Sequence, residues 1–397
     1  MRNMGRYFAY FGNWEIPARA DKGGISVFEY DSACGDLSFI ETVMENINAG
    51  NLCVDEQRRI LYAADERDHL PGRRDGGGSV YTMKIDPASG KLCQIGCSPS
   101  YGVYPSYICS LRDEDLILVT NHSGMGGITI VRQGIDGYCL GIIYDDSNVV
   151  LFERRDDGTP GKVCDVKTHD GSSIKPMQEH AHPHCVVASP DQSLFLVCDK
   201  GNDQIYLYSL DPKTRTLRQE STLFSDIPGS APRYGVFHPS LGVFYHNNEL
   251  EPDVCVVSYN GSGRMELLQR CSLLPDDYVP VPAASVYEVP APSDIVISSD
   301  GNYLYCTLRN LDRIVVFSVD HRTGLLTCLQ NTSCGGKNPR SIRIDPDGRF
   351  ALVTNLDSAE IAVFRVEENG TLSDTGKRFS APHPANIAFC RIDRNTD

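Results

Sequence analysis

A repeated pattern of three short apolar runs constrains this chain more than any other feature. Its clearest copies span residues 182–211, 291–320 and 338–366. Each run holds four to seven residues, is rich in Val, Ile, Tyr and Phe, and is bounded by Gly, Pro, Asn or Asp. This is typical of β-strands joined by tight hairpins, and no helical periodicity of comparable strength accompanies it in the sequence.

A constant spacing relates the copies to one another. In six copies the second run closes at Asp65, Asn121, Asp199, Asn248, Leu308 and Asn355. The residues 15 positions earlier are Gly50, Ser106, His184, Arg233, Ser293 and Arg340, and all but the first follow a proline. Unrelated loops would not keep one spacing over six copies, so the pattern indicates true structural repeats.

The two ends of the chain supply a seventh copy in two pieces. Residues 7–31 carry two runs without an opening one, and residues 383–392 carry an opening run with nothing after it. The sequence therefore predicts an all-β fold, a seven-bladed β-propeller closed by strand exchange between the N- and C-termini, as a single domain over 1–397. Two stretches exceed the repeat and are predicted insertions, about 133–178 in blade three and 273–290 after the fifth copy.

Composition excludes several classes of partner. The formal charge of −15 argues against binding nucleic acid, which requires a basic face. No run approaches the roughly 18 apolar residues that cross a bilayer, so no membrane partner is predicted. The first apolar run breaks at Gly12, Asn13 and Glu15, and we expect no signal peptide. The 15 scattered cysteines indicate reduced thiols and a cytoplasmic location.

Neither a metal nor a cofactor is predicted. His180, His182 and His184 alternate, and imidazoles two residues apart on a strand can share an ion. However, no carboxylate is spaced to complete such a site, so a substrate contact is the favoured interpretation of the histidines. The glycine-rich segment 123–127 precedes a strand and lacks the lysine of a P-loop, which argues against a nucleotide.

Equivalent positions of the repeat should converge on the axis of a propeller, because the first strand of each blade lines the channel. The residues after the prolines form a first ring, namely Gly50, Ser106, His184, Arg233, Ser293, Arg340 and Ala385. The residues that follow the second strands form a second ring, namely Glu66, His122, Lys200, Glu249, Arg309, Leu356 and Trp14. So many ionisable groups would be costly in one cavity unless they pair or bind a ligand. The excess of cations predicts capture of a small carboxylate or phosphate.

At this level of detail the sequence resembles a known family. Segments 182–191, 231–239, 303–319 and 335–355, together with NNEL at 247–250, look like the lactonase family of seven-bladed β-propellers. That family includes propeller-type 6-phosphogluconolactonases and carboxy-cis,cis-muconate cyclases. The resemblance covers nearly the whole chain and is strongest over 180–370.

The resemblance also implies catalytic residues. The family's proposed site residues match His184, Glu249, Arg233 and Arg309. The remaining predicted pocket residues bind substrate: Arg340, Tyr234, Asn248, His182, Glu66, His122 and Lys200. The chain departs from the family pattern at Tyr107 and Tyr234, where histidine is common, and at Leu356, where glutamine is common.

The leading hypothesis is metal-independent hydrolysis of a small anionic lactone, either a sugar phosphate or a carboxylated one, as in a 6-phosphogluconolactonase. Arg233 and Arg309 would bind the anion and polarise the lactone carbonyl, with Arg340 in support. His184 or Glu249 would act as the general base on water.

Two alternatives stay open at this stage. One is an intramolecular lyase that closes or opens a lactone with the same residues, as a muconate cyclase does. The other is a propeller that binds a partner without catalysis. The oligomeric state is not predicted.

Overall fold

The computed structural model describes residues 6–16, 22–70, 72–73, 76–112, 114–260, 263–281 and 288–392. Most of the described chain lies in β-strands. Blade one contains β1 (Arg6–Asn13), β2 (Gly24–Asp31) and β3 (Asp36–Val43). Blade two contains β4 (Ala49–Asp55), β5 (Ile60–Asp65), β6 (Ser79–Ile85) and β7 (Leu92–Pro99). Blade three begins with β8 (Pro105–Ser110) and β9 (Leu116–Asn121), continues through the hairpin β10 (Ile128–Gly134) and β11 (Gly137–Ile143), and ends with β12 (Asn148–Arg154) and β13 (Pro160–Thr168).

The second half of the chain is more regular. A short 3₁₀ helix, Pro176–Gln178, precedes blade four, which contains β14 (Pro183–Ala188), β15 (Leu194–Asp199), β16 (Gln204–Asp211) and β17 (Thr216–Phe224). Blade five contains β18 (Pro232–Phe237), β19 (Val243–Asn248), β20 (Asp253–Tyr259) and β21 (Met265–Ser272). Blade six contains β22 (Ala291–Ile297), β23 (Tyr303–Arg309), β24 (Arg313–Val319) and β25 (Leu326–Ser333). Blade seven contains β26 (Pro339–Ile344), β27 (Phe350–Asn355), β28 (Glu360–Val366) and β29 (Leu372–Ser380), and β30 (Pro384–Ile392) ends the described chain.

Seven antiparallel four-stranded sheets form a closed ring around an axis. The first strands contact one another in the order β4, β8, β14, β18, β22, β26 and β30, and β30 contacts β4 again. Hydrophobic side chains fill the spaces between successive blades, and the buried apolar clusters follow one another around the ring. The predicted seven-bladed propeller is confirmed. In the described part of the chain no helix is long and apolar enough to cross a bilayer.

The two ends of the chain close the ring together. Strand β30 pairs antiparallel with β1, with Phe11 opposite Ile387 and Tyr7 opposite Arg391, and so supplies the innermost strand of blade one. A sheet built from both termini cannot open unless those termini separate. The predicted strand exchange is therefore present.

A repeated tyrosine contact ties one blade to the next. Tyr10, Tyr62, Tyr245 and Tyr305 each donate a hydrogen bond to a glycine carbonyl in the outer turn of the following blade, at 2.7–3.0 Å. At one of these turns, Gly158 has a φ of +88°, and a Cβ there would lie 1.9 Å from Cδ1 of Ile60. Only glycine allows both the left-handed turn and the close approach of the two blades.

The insertion in blade three differs from the predicted 133–178. Strands β12 and β13 belong to the four-stranded sheet of the blade, so the extra element is the two-stranded hairpin β10–β11 between β9 and β12. Residues 148–168 alternate apolar and polar side chains as the outer strands of the other blades do. Because the hairpin β10–β11 comes before them in the chain, these two blade strands were included in the predicted insertion. The second predicted insertion, 273–290, joins β21 to β22, and its residues 282–287 lie outside the described residues.

Candidate active site

The first strand of every blade is irregular at one shared position. The pairing of each first strand with its neighbour skips a residue there, so that a β-bulge interrupts the ladder. The skipped residues include every member of the first ring: Gly50, Ser106, His184, Arg233, Ser293, Arg340 and Ala385. A bulge re-aims the side chain of its extra residue. The ring therefore depends on a repeated backbone irregularity that strand periodicity alone would not predict.

Glu249 is the centre of an ion-pair network contributed by three blades. Its carboxylate lies 2.9 Å from Nζ of Lys200, 2.6 Å from Nη2 of Arg309 and 3.8 Å from Nε of Arg233. Burial by itself would raise the pKa of Glu249, but Lys200, Arg309 and Arg233 together hold that pKa well below its usual range. Glu249 is therefore a carboxylate that holds cations in place.

Arg233 is positioned by groups on both sides. It is only 2% exposed, and its Nη1 donates to the backbone carbonyl of Ser293 in the next blade. Its guanidinium carbon lies 4.5 Å from the ring centroid of Tyr234. Its Nε makes no hydrogen bond within the described structure. A buried guanidinium with a free N–H is suited to receive an anionic oxygen.

Glu66 is brought to the same centre from blade two. Burial raises its pKa, while Arg340 and Arg233 act in the opposite direction. Its carboxylate occupies the space beside the bulge residue Gly50, where a Cβ would lie 2.1 Å from Oε2 of Glu66. Because Gly50 of the first ring has no side chain, it leaves space for the carboxylate of Glu66 of the second ring.

We expect Gly50→Ala to reduce turnover by displacing Glu66. The added methyl group cannot coexist with the present position of the carboxylate, so Glu66 must shift and its interaction with Arg340 and Arg233 changes. We expect kcat/KM for the substrate to fall by about tenfold, equivalent to about 1.4 kcal/mol of lost transition-state stabilisation. Steady-state kinetics would measure this, and Gly126→Ala is the control, because a Cβ at Gly126 meets no atom within 4 Å and its φ is not positive. An equal effect of both substitutions would contradict the explanation.

Arg340 approaches from blade seven. Its guanidinium carbon lies 4.3 Å from the ring centroid of Trp14, which the second ring contributes from blade one. Burial, and then the nearby Arg233 and Arg309, lower the pKa of Arg340 to about 9. The sequence predicted that Trp14 belongs to the second ring but indicated no role for it. In the structure its indole packs against the guanidinium of Arg340.

The histidines His122, His182 and His184 form a cluster beside the charged groups. His122 lies 5.3 Å from His184 and stacks on His182 at 4.5 Å, both measured between ring centroids. Burial, together with Arg233 and Lys200, holds the pKa of His184 well below 6.5, so its imidazole is neutral at pH 7. Nδ1 of His184 makes no hydrogen bond to any described residue. His182 lies behind His122 and bonds the His122 backbone carbonyl through Nδ1 at 2.7 Å.

Asn248 is directed differently from its neighbour Glu249. Its amide donates to Oδ1 of Asp253 at 2.5 Å and accepts from Oγ of Ser225 at 3.4 Å. Both partners belong to the interior of blade five or to the loop before it. Successive residues of an extended chain point to opposite sides, which explains why Glu249 faces the axis and Asn248 does not. We therefore leave Asn248 out of the pocket.

Residues outside both predicted rings pack beside the site. The rings of Tyr234 and Tyr107 meet at 5.3 Å, and Tyr234 also packs on His184 at 5.2 Å. Asp294 is buried and lies 2.6 Å from Nη1 of Arg343 on the next blade. Asp294 directly follows the first-ring residue Ser293, as Tyr234 follows Arg233. This shared position in the repeat is the sequence feature that could have identified Asp294.

A separate cavity of about 480 Å³ opens at the other end of the first strands. Its walls include Cys53, Cys109, Val187 and Pro239, together with Tyr107, and no residue of either ring lines it. The charged groups are thus concentrated at one end of the axis. Among the described residues, no three His, Cys, Asp or Glu side chains are grouped closely enough to hold a metal ion.

Comparison with known proteins connects this geometry to a family. The model of the family "Lactonase, 7-bladed beta-propeller" matches residues 8–389. The chain belongs to this family. The predicted family and the predicted enzyme class, a lactonase, are therefore confirmed.

Individual relatives are similar along nearly their full length. The chain is 26% identical to a 6-phosphogluconolactonase of Bacillus subtilis, covering 97% of this chain and 99% of that protein. It is 28% identical to a 6-phosphogluconolactonase of Formosa agariphila, covering 88% and 90%. Among solved structures, the periplasmic gluconolactonase PpgL of Pseudomonas aeruginosa superposes with a TM-score of 0.82 at 26% identity, covering 98% of this chain and 99% of that one.

Proposed function

We propose that this lactonase hydrolyses a small anionic lactone, a sugar phosphate or a carboxylated one, in the axial pocket and without a metal ion. The observation that carries the proposal is the charge of the pocket. Four cationic side chains converge there: Arg233, Arg309, Arg340 and Lys200. The carboxylates of Glu249 and Glu66 lie among them and offset part of their charge. An excess of about two positive charges among largely buried side chains favours a substrate that carries negative charge.

The arginines supply the electrostatic part of the reaction. Arg309 is held by Glu249 and Arg233 by the backbone carbonyl of Ser293, so their N–H groups are oriented before the substrate arrives. One guanidinium binds the anionic group, and another faces the lactone carbonyl, whose oxygen becomes negative when water adds. Donors positioned in advance at that oxygen contribute about 10²–10³ in rate each. The similarity to 6-phosphogluconolactonases supports a phosphate as the anionic group.

His184 is the better candidate for the general base. Both oxygens of Glu249 are occupied by Lys200 and Arg309, and its depressed pKa makes it a weak proton acceptor. His184 is neutral and has a free ring nitrogen. A bound anion would offset the charges of Arg233 and Lys200 and so raise the pKa of His184 towards neutrality. The imidazole then takes a proton from water, the new C–O bond forms, the ring C–O bond breaks, and the alkoxide receives the proton.

This assignment predicts the pH dependence of turnover. Because the free enzyme's His184 has a pKa well below 6.5, kcat/KM should stay level from neutrality through pH 6.5 and fall only in more acidic solution, where the imidazole is protonated. The acidic limb of kcat should lie at a higher pH than that of kcat/KM, because bound substrate raises this pKa. Initial rates corrected for spontaneous hydrolysis would measure both limbs. Coincident limbs would contradict base catalysis by His184.

The substrate class can be tested with a panel of lactones. The panel contains a sugar-phosphate lactone, a carboxylated lactone and an uncharged lactone of the same ring size, each with and without EDTA. We expect turnover of at least one anionic lactone, no effect of EDTA, and a KM about 100-fold higher for the uncharged one. Conversion of an unsaturated acid to a lactone without hydrolysis would instead favour the lyase, and no turnover of any compound would favour a binding module.

We also propose a cytoplasmic location. All 15 cysteines are free thiols, and those in the core are packed as small apolar residues. Structural thiols that remain unpaired in this number are typical of a reducing compartment. Fractionation of cells that express the full chain, with periplasmic and cytoplasmic marker enzymes, would test this.

A further inference from the structure

Among the described residues, exposed large apolar side chains are concentrated at the hairpin β10–β11. Seven large apolar side chains on and beside it are each at least 49% exposed: Ile128, Val131, Ile135, Tyr138, Leu140, Ile142 and Ile143. The four that share one face, Val131, Tyr138, Leu140 and Ile142, together expose on the order of 600 Å², which approaches the ~800 Å² that each partner buries in a standard protein interface. Monomeric soluble proteins rarely expose a continuous apolar patch of this size.

The hairpin has no partner sheet in the described structure. Its two strands pair only with each other, from Ile128 opposite Ile143 to Gly134 opposite Gly137, so both outer edges remain unpaired. An isolated two-stranded hairpin is at best marginally stable in water. Open edges and an apolar face together indicate that something packs against it.

The register defines one continuous apolar face. Val131 lies opposite Leu140, and the diagonal neighbours Tyr138 and Ile142 point to the same side. Cross-strand apolar pairs of this kind normally pack against a second sheet. Nothing in blade three covers this face, because these side chains are among the most exposed of the described residues.

The base of the hairpin is held firmly to the propeller. The ring of Tyr144 stacks on His180 at 4.1 Å, and its hydroxyl donates to Glu179 at 2.9 Å. Oγ of Ser123 donates to the carbonyl of Asp145 at 3.0 Å across the two legs of the hairpin. The base of the hairpin is therefore fixed to the propeller, so its apolar face has a defined position from which it can contact a partner.

We propose that the hairpin β10–β11 is the dimerisation arm of this protein and that its occupant is the same hairpin of a second copy. Between residues 126 and 143 the charged residues are Arg132 and Asp136, one of each sign, whereas the whole chain carries −15. Two copies can therefore meet at this element without the repulsion that other surfaces would impose. A two-fold axis also brings identical apolar faces together in a self-complementary way.

The test is the mass of the full-length protein in solution, measured by light scattering after size exclusion. We expect the wild type to be a dimer, and Leu140→Lys and the double variant Val131→Lys/Leu140→Lys to have the mass of a single chain. Both variants should retain native circular dichroism and lactone turnover. The matched control is Ile174→Lys, which introduces the same charge at an apolar side chain that is 71% exposed but lies outside the hairpin, and it should remain dimeric.

A second measurement does not depend on the variants. In the wild type, hydrogen exchange of the amides of 128–143 should slow at high protein concentration relative to low concentration. A wild type that stays monomeric at high concentration, or variants that stay dimeric, would overturn the proposal. Co-sedimentation of monomeric wild type with phosphatidylcholine vesicles would overturn it in favour of a lipid surface.

Discussion

Arg233→Met is expected to lower kcat/KM for the anionic lactone by about 10²–10³-fold without unfolding the protein. The guanidinium is buried, lies 3.8 Å from Glu249, and has an Nε that makes no hydrogen bond within the described structure. Methionine fills a similar volume but supplies neither charge nor N–H donors. The loss should fall on both kcat and KM if Arg233 contacts the substrate in the ground state as well as the transition state.

The control for this variant is Arg218→Met on the outer strand β17, where the arginine side chain is 76% exposed. It should leave kcat/KM unchanged, since exposed ion pairs contribute little. The two variants remove the same charge from the whole protein, so a difference between them isolates the pocket. Full activity of Arg233→Met with native circular dichroism would remove Arg233, and with it the proposed anion site.

Ile387→Asp is expected to destabilise the whole propeller by about 4 kcal/mol or more. Ile387 lies on β30, opposite Phe11 of β1, and is buried among the apolar side chains between blades one and seven. A carboxylate there loses its hydration and gains no described cation. Because β30 joins the C-terminal part of the described chain to blade one, its release should open the ring rather than loosen a single blade.

Guanidinium unfolding followed by intrinsic fluorescence would measure this change. Ile95→Asp is the control, because Ile95 lies on β7 at the outer edge of blade two and is 40% exposed. We expect the control to shift the free energy of unfolding by less than about 1 kcal/mol. Equal changes in the free energy of unfolding of the two variants would show that the strand pairing that closes the ring is no more important for stability than the outer edge of a blade.

The convergence of the candidate site residues could be predicted because the repeat fixes which residues occupy equivalent places in the blades. The constant spacing assigned His184, Arg233 and Arg340 to one ring, and all three lie at the bulges of first strands. Their convergence follows from sevenfold repetition around an axis and needs no knowledge of individual contacts. The family resemblance selected His184 and Arg233 as well, together with Glu249 and Arg309 of the second ring.

The relations among those side chains could not be predicted. Sequence spacing does not say that Glu249 contacts cations from three blades, or that Glu66 fills the space left by Gly50. It also did not separate Asn248 from Glu249, although one bonds inside its blade and the other faces the axis. These outcomes depend on side-chain directions, which one bulge can reverse.

The amino-acid sequence by itself determined the all-β class, the sevenfold repeat, the closure of the ring by the two termini and the positions that face the axis. Those features follow from local strand and turn preferences and from one repeated spacing. Only the tertiary structure decided which charges meet, which ring nitrogen stays free, and which hairpin stands away from the sheet. Such contacts join residues from different blades, and their distances depend on packing between blades rather than on any property of a single repeat.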